Sequence, residues 1–178
     1  MRRFLFIASL VGLLVVLGTG TGCRVYSFAD VSIPDSIKTV RINFIENRAQ
    51  YVNPRLAPNL TDRLKQKIVN QTRLTQTNNE NAHYDISSFI SSYTVSTSGV
   101  STSGTGNQRQ RESSMNRLTV GVHIVLNDRL GNKTQEFDVS RSFDFQASLA
   151  LQQAEAALLD AMVRDLTDDI FNRIFSNW

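Results

Sequence analysis

With 178 residues, 41% of them hydrophobic, the chain is long enough for one domain whose folding removes about two-thirds of its surface from water. Its 19 basic residues exceed its 16 acidic ones by only three, which excludes the large basic excess that wholesale nucleic-acid binding requires. A single cysteine excludes an intrachain disulfide and any cysteine-based metal cluster.

Residues 1–22 have the three-part layout of an export signal. Arg2 and Arg3 form a basic start, Phe4 to Leu17 is almost wholly apolar, and Gly18 to Gly22 (GTGTG) is small and turn-prone. The apolar run is shorter than the roughly 20 residues needed to span a bilayer, so a cleaved signal fits better than a permanent span. Gly20-Thr21-Gly22-Cys23 resembles a bacterial lipobox, with Gly20 where leucine is usual. That likeness implies lipidation of Cys23, which would become the first residue of the mature chain. The other reading is an ordinary signal followed by a free thiol, which an exported protein would have to protect. Each buried methylene contributes about 0.8 kcal/mol, and several acyl chains together anchor stably where one does not. Arg24 follows the cysteine, not the aspartate that favours inner-membrane retention in some bacteria, so the expected address is the outer membrane. Removing 22 of 178 residues leaves 156, with 17 basic residues (19 less Arg2 and Arg3) against 16 acidic.

Residues 23–36 form the anchor and a short lead, and residues 37–178 a single domain. From Ile37 to Ile45, Val40, Ile42 and Phe44 alternate with Thr39, Arg41 and Asn43, the period of a strand with one buried face. Asn53-Pro54 reads as a helix start. Leu56, Leu60, Leu64 and Ile68 then recur every fourth residue, the apolar stripe of a four-turn helix. Pro58 moves its regular start toward residue 58.

Arg73 to Thr77 is a candidate short strand, and Asn78 to Asn81 a turn. Tyr84 to Thr97 alternates with a phase slip, so a bulge near Ser87 to Phe89 is expected to bring Tyr84, Ile86 and Ile90 onto one face with Phe89, Tyr93 and Val95. Residues 96–114 are rich in Ser, Thr and Gly and are expected to form a flexible hairpin. Leu118, Val120, Val122, Ile124 and Leu126 mark the clearest strand, with His123 on its polar side. Phe137, Val139, Phe143 and Phe145 mark the next, its apolar face interrupted by Arg141. A long helix is expected from an N-cap at Ser148, with Leu151, Leu158, Met162, Leu166, Ile170 and Ile174 as its stripe. The order β-α-β-β-β-α predicts an α+β two-layer sandwich. Its mostly antiparallel sheet of about four strands carries two helices on one face and a solvated second face.

Catalytic chemistry has little support. His83, Asp85 and Ser87 have the composition of a hydrolytic triad but lie in a row on one strand, which is not how triads converge. The glycines from Gly99 to Gly106 lack the spacing and the following helix of a phosphate loop. Asp165, Asp168 and Asp169 read as the solvent side of the last helix. No cofactor or metal is expected. Arg109, Arg111 and Arg117 cluster around the hairpin and are candidates for phosphate contacts, since a guanidinium suits bidentate anion binding.

Several short runs, in order along the chain, resemble the LptE family of lipopolysaccharide-assembly lipoproteins. These are Tyr26-Ser27-Phe28, Phe44-Ile45-Glu46-Asn47-Arg48, Val52-Asn53-Pro54 and Gln71-Thr72-Arg73-Leu74. They continue with Asn116-Arg117-Leu118-Thr119-Val120, Asp169-Ile170-Phe171-Asn172-Arg173 and Phe175-Ser176-Asn177-Trp178. The resemblance implies a protein anchored in the outer membrane and facing the periplasm. It would plug and help assemble a large LptD-like β-barrel partner, and help lipopolysaccharide reach the outer leaflet, without catalysis. An envelope scaffold or binding lipoprotein of another export machinery is the alternative.

Overall fold

A computed structural model of the protein describes residues 33–103 and 110–176, with side chains described outside 99–114. The elements in order are β1 (Thr39–Ile42), β2 (Glu46–Asn47), α1 (Leu56–Gln71), β3 (Thr75–Gln76), β4 (Tyr84–Ser103), β5 (Gln110–Asp128), β6 (Lys133–Gln146) and α2 (Leu151–Phe175). Two helices and one sheet make the expected α+β sandwich. The sheet differs in detail, for it has six strands and is mixed, in the order β3-β1-β4-β5-β6, with β2 also on β4. β1 and β2 pair in parallel with successive stretches of β4, and β3 pairs in parallel with β1. The physical reason is connectivity: a chain that leaves β1, crosses through α1 and re-enters the sheet runs the same way again. β4 with β5 and β5 with β6 pair antiparallel.

The core lies between sheet and helices. Leu56, Leu60, Leu64 and Ile68 of α1 are fully buried, as are Met162, Leu166 and Ile170 of α2. From the sheet, Val40, Ile90, Leu118, Val120, Val122 and Ile124 meet them. Each such side chain contributes about 1.5–3 kcal/mol through the apolar surface it removes from water. Pro58 sits in the first turn of α1, where its missing N–H would have had no helical partner, so the helix starts at Leu56.

Three local expectations change. Asn53 is not the N-cap of α1: its Oδ1 accepts the Arg55 N–H at 3.0 Å in a turn just before the helix, and Arg55 occupies the cap position. Ala150, not Ser148, precedes α2. Strand phase breaks between β1 and β2, so Phe44 turns outward, 57% exposed, while Ile45 is buried and its N–H donates to Thr61 Oγ1 of α1.

The bulge in β4 falls at Ser91, between Ile90 paired with Val122 and Ser92 paired with Gly121. Tyr84, Ile86 and Ile90 before it and Tyr93 after it share the core face, whereas Phe89 lies on the other. Gly121 accommodates the bulge, since a Cβ there would run into Ser92 Oγ. The β4-β5 ladder continues to Ser103 opposite Gln110, well past the end of β6, whose last pair is Met115 with Gln146. Strand pairing through backbone groups tolerates such a Ser/Thr-rich sequence.

Candidate functional site

The face of the sheet turned away from the helices is mostly polar. Alternation in β5 and β6 brings Arg117 opposite Asp144, Thr119 opposite Ser142, His123 opposite Asp138, and Asn127 opposite Thr134. Each pair is joined by a side-chain hydrogen bond. This is cross-strand pairing in its stabilising form, and it supplies a hydrophilic wall already satisfied within itself.

Near the β1 edge, Arg41 forks onto Asp85, Nε to Oδ1 at 2.9 Å and Nη2 to Oδ2 at 2.7 Å. Asn43 Nδ2 donates to the same carboxylate at 3.0 Å and to Ser87 Oγ at 2.8 Å. Asp85 is buried. The Arg41 hydrogen bond outweighs burial and holds its carboxyl below the ordinary value, while Asp85 raises Arg41 in turn. His83 Nδ1 accepts the Lys38 N–H at 3.0 Å. His83, Asp85 and Ser87 are therefore each engaged with β1 or a residue flanking it and not with one another, and form no relay.

Further along the face, the Phe89 ring lies 5.0 Å from that of His123, with the Arg48 guanidinium 4.2 Å from its centroid. His123 Nδ1 shares a hydrogen bond with Asp138 at 2.9 Å. Phe44, Phe89 and Val125, flanked by Asn43, Ser87 and Arg48, line a shallow groove of about 440 Å³.

Of the three candidate phosphate-binding arginines, Arg117 is engaged with Asp144, Nε to Oδ1 at 2.7 Å and Nη2 to Oδ2 at 2.9 Å. The pairing raises Arg117 and lowers Asp144. Arg111 lies on the β5 backbone ladder opposite Thr102, its side chain outside the described ones. Arg109 and Cys23 lie outside the described residues. Among the described residues no group of three or more His, Cys, Asp or Glu is placed to hold a metal ion, and no helix is long and apolar enough to cross a membrane.

On the helix side the acidic residues of α2 are not decoration. Asp168 pairs with Lys67 of α1 at 2.8 Å, and Asp169 takes the fork of Arg141 from β6. Arg141, the residue that broke the apolar alternation of β6, thus ties the edge strand to the helix above it. Sequence reading passed over a third cluster. Glu155, buried one turn into α2, accepts hydrogen bonds from Tyr93 OH at 2.7 Å and Tyr51 OH at 3.2 Å. The two tyrosine rings stack at 5.3 Å, and Asn53 Nδ2 donates to Tyr93 OH at 3.5 Å. Burial first, then the Glu155 carboxylate, pushes the Tyr51 hydroxyl above its ordinary value, and Tyr93 is pushed up as well, with burial the largest cause. The one available signal was a glutamate standing in the helix where the apolar stripe passes.

Comparison with known proteins follows the same lines. Among solved structures, a putative neuraminyllactose-binding hemagglutinin homolog from Helicobacter pylori superposes with a TM-score of 0.53 at 10% identity, over 83% of this chain and 88% of that one. It shares the fold. A minor lipoprotein from Acinetobacter baumannii matches with a TM-score of 0.47 at 20% identity, over 78% and 93% of the two chains. The rare lipoprotein B of Shewanella oneidensis gives 0.39 at 13%, over 76% and 90%. No curated protein sequence matches. The family model for LptE, lipopolysaccharide-assembly, matches residues 37–174, from the residues before β1 almost to the end of α2. The chain belongs to the LptE family of lipopolysaccharide-assembly proteins.

Proposed function

We propose that the protein is an outer-membrane lipoprotein, anchored through Cys23 and facing the periplasm. It would assist a β-barrel translocon, LptD-like, in delivering lipopolysaccharide to the outer leaflet, as a plug and assembly partner and without catalysis. The observation that carries this reading is the family match across the whole folded domain. The internally satisfied polar sheet face supports it, because barrel interiors are polar and a plug must present surface of that kind. Tethering both partners to one membrane would raise their effective concentration without any new contact.

Lipopolysaccharide phosphate is assigned to the arginines of the β4-β5 hairpin. Arg109 and Arg111 would make the direct contacts. Arg117, engaged with Asp144, would hold the base of the ladder and exchange partners only against a competing phosphate. Purification of the tagged, lipidated protein in mild detergent should recover a large β-barrel, identified by peptide mass, in stoichiometric amount. Recovery of the monomer alone under several detergents would defeat the plug role. Charge reversal at Arg109 and Arg111 should weaken lipopolysaccharide binding at least tenfold, and unchanged binding would remove the phosphate assignment. A Cys23→Ser protein that still partitioned fully with outer membranes would remove the anchor.

A further inference from the structure

β4 outruns its neighbour on one side. β2 pairs with it only as far as Ile90, whereas β5 stays with it to Ser103. Ile86 and Ile90, on the core face, turn their carbonyls away from β5, where the Asn43 and Arg48 N–H groups donate to them at 2.9 and 3.0 Å. Beyond the bulge Tyr93 is buried on the same core face, and Val95, opposite the buried Leu118, and Thr97 follow it at the strand period. A strand residue's face and the side to which its N–H and C=O point alternate together. Tyr93, Val95 and Thr97 therefore present theirs along the edge that β2 has left, and no strand among the described residues takes them.

An open edge is a template for pairing, and natural sheets guard such edges with charge, proline or short strands. β6, at the other side of the sheet, is guarded in this way by Lys133, Glu136, Asp138, Arg141 and Asp144. From Ser91 to Ser103 there is no charged residue and no proline, only serine, threonine and valine with one tyrosine and one glycine. Register with β5 is unbroken from Ser92 to Thr97, about 20 Å of regular strand at 3.3 Å per residue, and Thr94 to Thr97 are all exposed. The chemistry such an edge recognises is that of another extended backbone. A second copy of this chain does not fit it. Placed antiparallel over Ser92 to Thr97, its own ladder beyond Thr97 would run into the place beside Ile90 that Asn47 holds. Placed parallel in the same register, the two β2 strands would claim the same space. A free extended segment of another protein meets neither obstacle.

We propose that the β4 edge from Ser92 to Thr97 receives an extended segment of the barrel partner as an added strand. The outward N–H and C=O groups of Val95 and Thr97 bond its backbone, in line with β2 and on the same side of β4. The inference rests on the barrel-partner reading above and names the surface it uses.

The test places a photo-crosslinking amino acid at Thr94, at Ser96 and, as control, at Ser140 on the guarded edge strand β6, all three exposed. The full chain is expressed with its barrel, and adducts are identified by peptide mass. Barrel adducts at Thr94 and Ser96 are expected within one segment of the barrel, about tenfold above Ser140. In parallel, Val95→Pro deletes one outward N–H at an edge position, where a strand tolerates proline, and is expected to recover the barrel about tenfold less at unchanged Tm. Val95→Thr keeps that N–H and is expected to recover the barrel as the wild type does. Adducts as strong at Ser140, adducts to a second copy or to another part of the same chain, or none at Thr94 and Ser96 while the wild type recovers the barrel, would overturn the proposal. So would undiminished recovery by Val95→Pro, or a loss as large in Val95→Thr. If Val95→Pro lowers Tm, the adducts at Thr94 and Ser96 decide. Failure of the wild type itself to recover a barrel is a separate outcome that overturns the underlying function and this surface with it.

Discussion

Arg41 of β1 and Asp85 of β4 meet in a two-pronged ion pair, 2.7 and 2.9 Å, across strands that run parallel and lie 44 residues apart in sequence. Asn43 completes the acceptor side by donating to the same carboxylate. The pair closes the loop that contains α1, and with it the parallel part of the sheet.

Asp85 is held below its ordinary pKa, so it binds fewer protons in the folded than in the unfolded chain. Its contribution is present above the unfolded value of about 3.9 and is lost as pH falls through the depressed folded value. Asp85→Asn should cost about 1.5–3 kcal/mol at neutral pH, the range for hydrogen bonds to a charged group. The gap between wild type and variant should narrow below pH 4. Urea melts at pH 7 and pH 3 check this, and an unchanged gap would show that the pair does not set acid stability.

Tyr93 behaves in the opposite sense. Burial raises its hydroxyl, with Glu155 adding to the effect. The stability it provides is whole below pH 10 and fades as pH rises through the folded value. Tyr93→Phe should cost about 1 kcal/mol at pH 7, one hydrogen bond's worth, and should move the onset of alkaline unfolding upward. Circular dichroism followed from pH 8 to 12.5 would reveal it, and Tyr51 and Tyr84, also raised, set the residual limb.

Gly121 and Ser92 should be coupled. Gly121→Ala places a methyl against Ser92 Oγ at the β4 bulge, an overpacking cost of about 1–3 kcal/mol. In a Ser92→Ala background the nearest atom becomes Ser91 Oγ at 3.2 Å, a tight contact that a shift of a few tenths of an ångström relieves, and much of the cost should disappear. A double-mutant cycle with zero coupling would show that the glycine serves something other than the bulge.

Leu166 is fully buried between α2 and the sheet. Leu166→Ala should destabilise by about 2–5 kcal/mol through lost burial and the cavity left behind. Leu130→Ala, in an exposed turn, should change stability by less than about 0.5 kcal/mol. Thermal melts of the two proteins side by side measure the contrast.

Composition and periodicity alone determined the class of this protein, the two helices with their buried stripes, the alternation of β5 and the polarity of the open sheet face. These are local properties: a side chain's face follows from the period of its own segment, and the resemblance to the LptE family rested on short runs in order. Other features waited for the tertiary structure because they join segments far apart in sequence. The parallel pairing of β1 with β4 depends on how the chain crosses through α1. The bulge sits at Ser91 because Gly121, on the neighbouring strand, leaves room there. Phe44 faces outward because Ile45 is claimed by Thr61. Asp168 and Asp169 look like solvated helix residues until Lys67 and Arg141 arrive beside them. Glu155 reads as a polar interruption until two tyrosine hydroxyls from distant segments converge on it. Hydrophobic pattern sets which faces are buried, but hydrogen-bond partners are chosen by proximity in space, and that only the folded chain decides.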